Sequence, residues 1–591
     1  MPSKPQLKGP LAMALLMAAA IAILAAGWDA AGGRFYLDSE GYFRAVSYFR
    51  DPSLSWQKIH DAIFSNPYPA AQRPIPTISF LIENNLLGLS PKSGRIINLV
   101  IHGLNIFLLF FLCRRLLLQF GKDRRTAISA ALLGALLWGL NPFHADTVYY
   151  VIQRMTTLSA SFYLLGTIAY LRTRESPGSR VWWAALAASF AGGLACKENA
   201  ALLPLGLLVL ESALPPDAAG PQARRRRLAW LLGAVVVLPL AGALALGYSP
   251  AGIVRSLLEK SPGREFTSLQ RLMTEGRVLM HYLSLLLFPH PDRLAFVLKY
   301  PVSQSLFNPV TTIIAWGAIA ILLGAASFYK KRYPLVWLGL FWFLINHLLE
   351  STVIPLEIAF VHRNYLPSVF LFLPVAVWLA AQKRQPAATI IPAALLILLL
   401  PFGWNARAAV WSDPARFWQD SVEKSPGSLR AYINLGVMWD IKGQPARALE
   451  IYQKGIANAY DENPAAWSSV YCNMGIASMN LGHYGPADSY MTKALSLAPL
   501  PDCLINMAKL QLRVGNPGRA MQAMEKLYRI RPRHPKLHLM RARIYLSTGQ
   551  REAARRELEQ ELALFPGSLE ASNLLRRLDA HQNKTVCCSA D

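Results

Sequence analysis

Residues 94–113 read GRIINLVIHGLNIFLLFFLC and are followed directly by Arg114 and Arg115. A helix needs about 20 predominantly apolar residues to cross roughly 30 Å of hydrocarbon, and this window meets that requirement. The whole chain has the same character, because 53% of its 591 residues are hydrophobic and its mean hydropathy is +0.27. It is too apolar for an ordinary soluble enzyme and too long for one domain.

Apolar windows of similar length recur along the first 403 residues. With the stretch above they predict eleven membrane spans, at 11–28, 94–113, 127–143, 155–171, 181–196, 199–214, 228–248, 310–329, 333–349, 364–381 and 387–403. A cleaved signal peptide is the competing interpretation of the first window, because a short basic segment precedes it and its Ala-rich end resembles a cleavage region.

The basic residues between these windows predict the topology. With a cytoplasmic N-terminus, the basic runs at 114–125, 172–180, 224–227, 330–332 and 383–384 all fall on the cytoplasmic side. The apolar run 279–288 is too short to cross and is followed by prolines. We therefore predict that 249–309 is one non-cytoplasmic segment with a re-entrant or surface helix, and that the C-terminal domain lies outside the cytoplasm.

The formal net charge of +25 on its own suggests nucleic acid. Many of the basic residues, however, lie in the short runs just described, where they act as topology signals. A nucleic-acid groove is therefore not predicted. The six cysteines show no paired C-x-x-C spacing with histidines, so the sequence offers little support for a zinc site.

From Pro426 onward the sequence becomes self-similar. Glycines close each first helix at intervals of 39, 33 and 34 residues, and prolines end the second helices at intervals of 33 and 34. These positions, with the alanines predicted to pack closely, are Gly443, Gly482, Gly515, Gly549, Pro499, Pro532, Pro566, Ala448, Ala487, Ala520 and Ala554. A helix–turn–helix unit of about 34 residues is the tetratricopeptide period. Such pairs stack into a superhelix whose concave surface suits an extended peptide or partner protein, and pure scaffolding is the alternative.

Polar side chains are concentrated in the predicted outer loops. In the first loop, Asp38 and Glu40 could supply a general base or hold a divalent cation, whereas a solvated loop is the alternative for the pair taken alone. The other loops carry His144, Asp146, Arg154, Lys197, Glu198, Arg271, Glu350, Glu357, His362, Arg363 and Tyr365. Ionisable groups near membrane depth are costly and have a functional or pairing reason.

Outward-facing cations at the lipid boundary suit a polyprenyl phosphate or diphosphate headgroup, because they offset the phosphate charge as the glycosidic bond breaks. We predict this role for five residues: His144, Arg154, Lys197, His362 and Arg363. The supporting residues would be Asp146, Glu198, Arg271, Glu357 and Tyr365. Interhelical ion pairs, such as Lys197 with Asp146 or Arg363 with Glu350, are the alternative for each member taken singly.

Six stretches resemble the transmembrane-and-tetratricopeptide-repeat family of O-mannosyltransferases and its bacterial relatives, in the GT-C class of multi-span glycosyltransferases. They are Leu37-Asp38-Ser39-Glu40, Arg73-Pro74-Ile75-Pro76, Asn98-Leu99-Val100-Ile101-His102, the run 141–147, Lys197-Glu198-Asn199 and the run 362–367. The likeness extends over the whole chain, including the repeats. One departure is His144-Ala145-Asp146, which replaces the family's more usual His-Pro and Glu arrangement and leaves the role of Asp146 open.

The resemblance implies a polyprenyl-phosphate sugar donor, an outward-facing site and inverting transfer to a protein Ser or Thr hydroxyl. Asp38 would act as the base, and Glu40 would assist it or bind a cation. The predicted organisation is all-α: a GT-C-like bundle at 1–403, a connecting helical segment at 404–425, a repeat solenoid at 426–580 and a tail at 581–591. The predicted location is a bacterial inner membrane with periplasmic repeats. The alternatives are a non-catalytic membrane-anchored scaffold for a surface-assembly complex and a ligase for lipid-linked glycans.

The topology predicts the accessibility of single tagged positions. Cysteines introduced at Arg225 and Lys331 are expected to react only with membrane-permeant reagents, because the basic loops that hold them remain in the cytoplasm. Cysteines at Lys260 and Gly549 are expected to react with impermeant reagents from outside. A cytoplasmic label at Gly549 would contradict the predicted topology.

Overall fold

The computed structural model describes Ala18 and residues 32–45, 53–64, 72–216, 220–245, 266–354, 356–382, 386–460 and 463–587. The predicted span 11–28 lies outside these residues except for Ala18, as do residues 246–265 and the last four residues. The chain divides into two compact units, Met1–Lys424 and Ser425–Asp591, which are described separately.

The fold is helical in every described range, with one isolated β-bridge between Val297 and Phe360. The helices of the first unit are α1 (Asp38–Ala45), α2 (Trp56–Phe64), α3 (Pro74–Leu87), α4 (Pro91–Gln119), α5 (Arg124–Gly139), α6 (Ala145–Tyr149), α7 (Arg154–Glu175), α8 (Arg180–Leu194), α9 (Leu203–Ala213), α10 (Gly220–Ala245), α11 (Ser268–Leu287), α12 (Thr311–Phe328), α13 (Pro334–Ile345), α14 (Leu373–Ala381), α15 (Pro386–Trp411) and α16 (Pro414–Lys424). Short 3₁₀ turns lie at Pro142–His144, Val151–Gln153, Glu198–Leu202, Pro291–Arg293 and Val361–Asn364.

Two described helices, α4 and α12, are both long and apolar enough to cross a bilayer, and α5 with the turn and α6 makes a third if that pair, bent by 48°, counts as one span. These correspond to the windows 94–113, 310–329 and 127–143. The other predicted spans remain predictions. Two of them correspond to shorter helices, α9, which directly follows the 3₁₀ turn Glu198–Leu202, and α14. The bundle of eleven spans is therefore supported only in part.

Two boundaries differ from those predicted. The run 279–288 is not a separate short helix but the end of α11, whose 20 residues begin at a capping box formed by Thr267 and Gln270. The span predicted at 387–403 continues without a break into the expected connecting segment, because α15 extends to Trp411. That extension contains Arg407 and Trp411, whose side chains both bond to Asp146.

The core of the first unit is built on an aromatic cluster around His102 of α4. The His102 Nδ1 atom lies 2.7 Å from the Tyr365 hydroxyl, and its Nε2 atom lies 2.8 Å from the Gly139 carbonyl oxygen. The His102 ring stacks on Trp404 with centroids 5.3 Å apart and packs against Trp138. The cluster therefore joins α4, α5, α15 and the 361–364 turn through side chains that are all buried.

The second unit consists of helix pairs: α17 (Leu429–Ile441) with α18 (Pro445–Asn458), α19 (Pro464–Asn480) with α20 (Tyr484–Leu497), α21 (Pro501–Arg513) with α22 (Pro517–Ile530) and α23 (Leu537–Ser547) with α24 (Arg551–Leu564), followed by α25 (Leu569–Cys587). The four turn glycines have φ between 74° and 79°, a left-handed conformation that a side chain disfavours. The four repeated alanines are fully buried. The sequence period thus corresponds to turn geometry and close helix packing.

Gly515→Ala is expected to destabilise the second unit by about 1–2 kcal/mol, because φ of 75° is costly for any residue with a Cβ atom. The same substitution at Gly485, inside α20 with open space around it, is expected to be neutral or to stabilise by about 0.4–1 kcal/mol. Pulse proteolysis of the full chain in urea, following the fragment that contains the repeats, measures both. Equal effects at the two glycines would contradict the turn assignment.

Candidate functional site

Lys197, Asn199 and Glu350 form the centre of a polar cleft in the first unit. The Lys197 ammonium lies 2.8 Å from one Glu350 oxygen, and the Asn199 amide donates to the other at 2.7 Å. Lys197 also donates to the Thr156 hydroxyl at 3.2 Å. Both charged side chains are about nine-tenths buried, so each would be costly without the other. Lys197 was predicted as a phosphate ligand, and here it is paired with a carboxylate.

His362 and Arg363 enter the same cleft from the Val361–Asn364 turn. Arg363 donates to the Ile358 carbonyl oxygen at 2.9 Å, and its guanidinium lies over the Phe360 ring. His362 stacks on Phe360 with centroids 5.0 Å apart. We call the set Thr156, Lys197, Asn199, Glu350, His362 and Arg363 the cation cleft.

The protonation states in the cation cleft follow from burial and charge. Burial by itself would raise the pKa of Glu350, but Lys197 and Arg363 outweigh it and hold that pKa well below its usual range. Burial, followed by the charge of Lys197, lowers the pKa of His362 well below its usual value. His362 is therefore neutral at pH 7, and its Nδ1 atom has no hydrogen-bond partner among the described residues. It can hydrogen-bond a ligand, but it adds no charge.

Arg271, which was predicted with Glu357 as a supporting residue, bonds to the backbone of the loop that carries Glu350. The buried Arg271 guanidinium pairs with Glu275 at 2.8 Å. It also donates to the carbonyl oxygens of Leu356, at 3.1 Å, and Glu357, at 3.2 Å. Arg271 thus holds the backbone of this loop in place.

Arg73 is a cation at the edge of the site that the sequence motif contained but the predicted site did not. Its guanidinium makes two bonds to Glu198, at 3.1 and 2.7 Å. The Glu198 side chain is two-thirds exposed, so this pair lies at the mouth and not in the interior. Burial is the main cause that lowers the pKa of His362, and the positive charge of Arg73 adds to the effects of Lys197 and Arg363 in the same direction.

Asp38 begins α1 and is exposed, whereas Glu40 is half-buried. The preceding residue, Leu37, has φ of 47°, which is unusual for a residue with a Cβ atom and is found mainly where the surrounding structure imposes it. Two positions along a helix correspond to a rotation of about 200°, so Asp38 and Glu40 project in nearly opposite directions. As a pair they do not fit one metal ion, and the described residues hold no group of three or more His, Cys, Asp or Glu side chains able to bind one.

Tyr150 joins the segment 37–40, which carries Asp38 and Glu40 and is called the acidic loop, to the cation cleft. Its hydroxyl accepts a hydrogen bond from the Asp38 backbone N–H at 3.1 Å, and its ring packs against His362 with centroids 6.3 Å apart. Ser39 adds a second link, because its hydroxyl accepts from the Ile152 N–H at 3.2 Å. The structure therefore links the Asp38 backbone, through Tyr150, to His362 of the cleft. No sequence signal singled out Tyr150, because a buried tyrosine in an apolar run looks like core.

Arg154 was predicted to bind phosphate, but the structure gives it a structural role. Its side chain is completely buried and pairs with Glu83 at 2.6 Å. It also donates to the Asn98 side chain at 3.0 Å and lies 4.1 Å above the Phe80 ring. The partner carboxylate is itself held by Ser93 at 2.6 Å. With these bonds filled, Arg154 joins α3, α4 and α7 and does not reach the cleft.

His144, Asp146 and Tyr365 are likewise part of the buried framework. His144 packs between Trp138 and Tyr365 in the aromatic cluster. Asp146 accepts hydrogen bonds from the Arg407 guanidinium at 2.7 Å and from the Trp411 indole at 2.8 Å. The proposed alternative of an Asp146–Lys197 pair is also wrong, because Arg407 is the partner. Asp146 thus holds Arg407 and Trp411 and does not line the cation cleft.

Trp411, which Asp146 holds, in turn contacts the residues around the acidic loop. Its backbone carbonyl accepts a hydrogen bond from the Tyr36 hydroxyl at 3.2 Å, and its ring packs against Tyr36 and Tyr150. The chain of contacts thus leads from Asp146 through Trp411 to the two tyrosines that flank and contact the start of α1. Asp38 is exposed, but the segment that presents it rests on a rigid aromatic support.

Free space in the cation cleft amounts to about 10 Å³, which is about enough for one water molecule. A phosphate group would enter only if the side chains moved apart. The contact between Lys197 and Glu350 is where the cleft would open, because a phosphate could replace the carboxylate as the partner of the ammonium group.

Two family models described as tetratricopeptide repeat match residues 468–499 and 511–578. Protein O-mannosyl-transferase Tmtc3 of Drosophila melanogaster is 23% identical over 492 residues, covering 72% of this chain and 52% of that protein. TMTC4 of Mus musculus is 23% identical over 449 residues, covering 66% of this chain and 58% of that protein. The chain thus spans about half the length of the curated relatives it matches.

Shorter and weaker matches add no further assignment. Human protein O-mannosyl-transferase TMTC4 is 30% identical over 148 residues, which are 23% of this chain and 20% of that protein. The crystal structure of MamA aligns with 25% of this chain and 85% of its own, at 19% identity and a TM-score of 0.22, which is too low to carry an argument. The chain is therefore a distant relative of the protein O-mannosyl-transferases and carries tetratricopeptide repeats in its C-terminal unit.

Proposed function

We propose that the first unit is an inverting GT-C glycosyltransferase that transfers a sugar from a polyprenyl-phosphate donor to a Ser or Thr hydroxyl of a protein on the non-cytoplasmic face. The proposal rests on the exposed Asp38 carboxylate and on the link from the Asp38 backbone, through Tyr150, to His362 of the cation cleft. The distant relatedness to protein O-mannosyl-transferases supports the same reaction class.

The cleft has the charge balance that a phosphate ligand requires. Three cations, Lys197, Arg363 and Arg73, lie around His362, and the carboxylates of Glu350 and Glu198 only partly neutralise them. When the donor's anomeric carbon–oxygen bond breaks, the bonding electrons pass to the phosphate oxygen, and nearby cations stabilise that charge. Lys197 and Arg363 take this role, and neutral His362 adds a hydrogen bond.

Asp38 would serve the other half of the reaction. The acceptor hydroxyl oxygen attacks the anomeric carbon on the face opposite the departing phosphate, and its proton passes to the Asp38 carboxylate. Inversion follows from this single displacement. Glu40 projects from another face of α1 and is assigned no step.

The repeats of the second unit would present the acceptor. Tetratricopeptide arrays bind extended peptides or partner proteins through stacked helix pairs, and they carry no chemistry of their own. In this arrangement the first unit transfers the sugar and the second unit selects the protein acceptor.

The alternative is a membrane-anchored scaffold that keeps the fold and recruits an assembly complex through its repeats. One observation favours the scaffold. A catalytic site must admit its donor, and the cation cleft has only about 10 Å³ of free space. A ligase acting on a lipid-linked glycan would use the same cations but a different donor.

Substitutions at two arginines distinguish a residue that binds the donor from one that stabilises the fold. Arg363→Gln is expected to weaken the affinity for a polyprenyl-phosphate sugar roughly ten- to a hundredfold, because a charge-assisted contact contributes about 1.5–3 kcal/mol. Arg154→Gln is expected to lower the amount of folded protein instead, because it leaves the buried Glu83 unpaired at a cost of about 3–5 kcal/mol. Donor binding to purified protein, with membrane levels measured beside it, distinguishes them. Loss of expression in both variants would make Arg363 structural.

Asp38→Asn tests the catalytic step. The substitution keeps size and hydrogen bonding but removes basicity, so transfer to a peptide hydroxyl is expected to fall by about 10²–10⁴-fold while donor binding is retained. Asp292→Asn is the matched control, because that carboxylate is largely exposed in the 249–309 segment.

Deletion of the repeats from Pro426 onward is expected to reduce transfer to a protein more than transfer to a short peptide. If Asp38→Asn fully restores the phenotype of a deletion strain and the repeat deletion does not, the scaffold is the correct function.

A further inference from the structure

A second cleft lies between α7, α8 and α10, at the opposite end of α7 from Thr156 of the cation cleft. It has a volume of about 490 Å³ and is lined by Thr173, Pro177, Trp183, Ala223, Arg226, Arg227 and Trp230. Neither the proposed transfer reaction nor the tetratricopeptide repeats use any of these residues.

One face of α10 supplies most of the lining. Residues 223, 226, 227 and 230 follow the i, i+3, i+4, i+7 spacing that places side chains on a single helix face. Arg225 lies one position away from Arg226 and points in another direction. The run of four arginines, which the sequence explains only as a topology signal, therefore contains residues with different roles.

The buried carboxylate of Glu211 accounts for part of the run. Its oxygens receive Arg174 and, at 3.1 Å, Arg227, and the Tyr170 hydroxyl donates to it at 2.8 Å. Arg224 donates to the Glu211 carbonyl oxygen at 3.0 Å. One carboxylate thus faces several guanidinium groups, and positive charge remains in excess. Arg226 is exposed at the cleft.

The other lining groups are apolar and exposed. The exposed fraction is 72% for Trp230 and 41% for Trp183, and Val181, Leu232, Val236 and Val237 are also exposed on α8 and α10. Exposed apolar helix faces on a chain with membrane-spanning helices are covered by lipid, and Trp is enriched where hydrocarbon meets the headgroups. Arg side chains at that depth extend toward the headgroup phosphates.

We propose that this cleft binds an anionic phospholipid of the surrounding bilayer, with Arg226 contacting the headgroup phosphate and Trp183 and Trp230 packing against the glycerol and upper acyl chains. The charge complementarity identifies the headgroup as anionic, and the apolar faces identify the ligand as a lipid. Basic pockets between membrane helices are established sites for such headgroups. The proposal does not depend on the sugar transfer.

Native mass spectrometry of the full-length chain, titrated separately with phosphatidylglycerol and phosphatidylcholine, tests the site. Wild-type protein is expected to retain phosphatidylglycerol in preference to phosphatidylcholine. Arg226→Gln is expected to weaken phosphatidylglycerol binding about tenfold or more, because it removes a charge-assisted contact. Trp230→Ala is expected to weaken retention of both lipids. Both side chains are exposed, so neither change should prevent folding.

Arg225→Gln is the matched control, because it removes the same charge from the adjacent position outside the cleft. An equal loss in Arg225→Gln would show diffuse attraction to anionic lipid and overturn the proposal. Equal retention of the two phospholipids by wild-type protein would also overturn it. A third titration uses undecaprenyl phosphate. Preferential binding of that lipid, reduced by Arg226→Gln, would make the cleft a polyprenyl-phosphate site and would overturn its assignment to a phospholipid.

Discussion

The ion pair between Asp146 and Arg407 is the contact on which the first unit most depends. Both side chains are almost completely buried, and a charge in such surroundings is tolerated only with a partner in good geometry. Arg407 also reaches Asp420 of α16, and Asp420 in turn pairs with Lys424. The pair therefore fixes α15 and α16 against α6. Through Trp411 it also fixes the aromatic support on which the acidic loop rests.

The same constraint sorts the other charges of this unit into two groups. Glu83 with Arg154 is a completely buried pair that joins α3 to α7, and Arg271 with Glu275 is a completely buried pair within α11. The cation cleft and the α7–α8–α10 cleft differ from them, because positive charge there exceeds the carboxylates that face it. A buried pair such as Glu83 with Arg154 stabilises an arrangement of helices. A surplus of positive charge beside an opening is what an anionic ligand requires.

The site residues show how far sequence reasoning extends. Lys197, His362 and Arg363 were predicted to act together, and the structure places all three in one cleft. Arg154 and His144 were predicted on the same grounds and instead lie in the core. The difference could not be predicted, because a lone charged residue beside an apolar window looks the same whether its partner is a ligand or a distant carboxylate. Glu83 is 71 residues from Arg154, and no local pattern connects them.

The sequence by itself determined the properties that depend on local periodicity. It established the helical class, the apolar windows of the first unit and the repeat period, since the turn glycines and buried alanines recur at fixed intervals along the chain. Only the tertiary structure shows which charges are paired and that Tyr150 connects Asp38 to His362. Those facts depend on contacts between residues far apart in the chain, 71 positions for Glu83 and Arg154 and 112 positions for the 3.1 Å bond between Asp38 and Tyr150. Long-range pairing is set by packing of the whole unit, and packing leaves no periodic trace in the sequence.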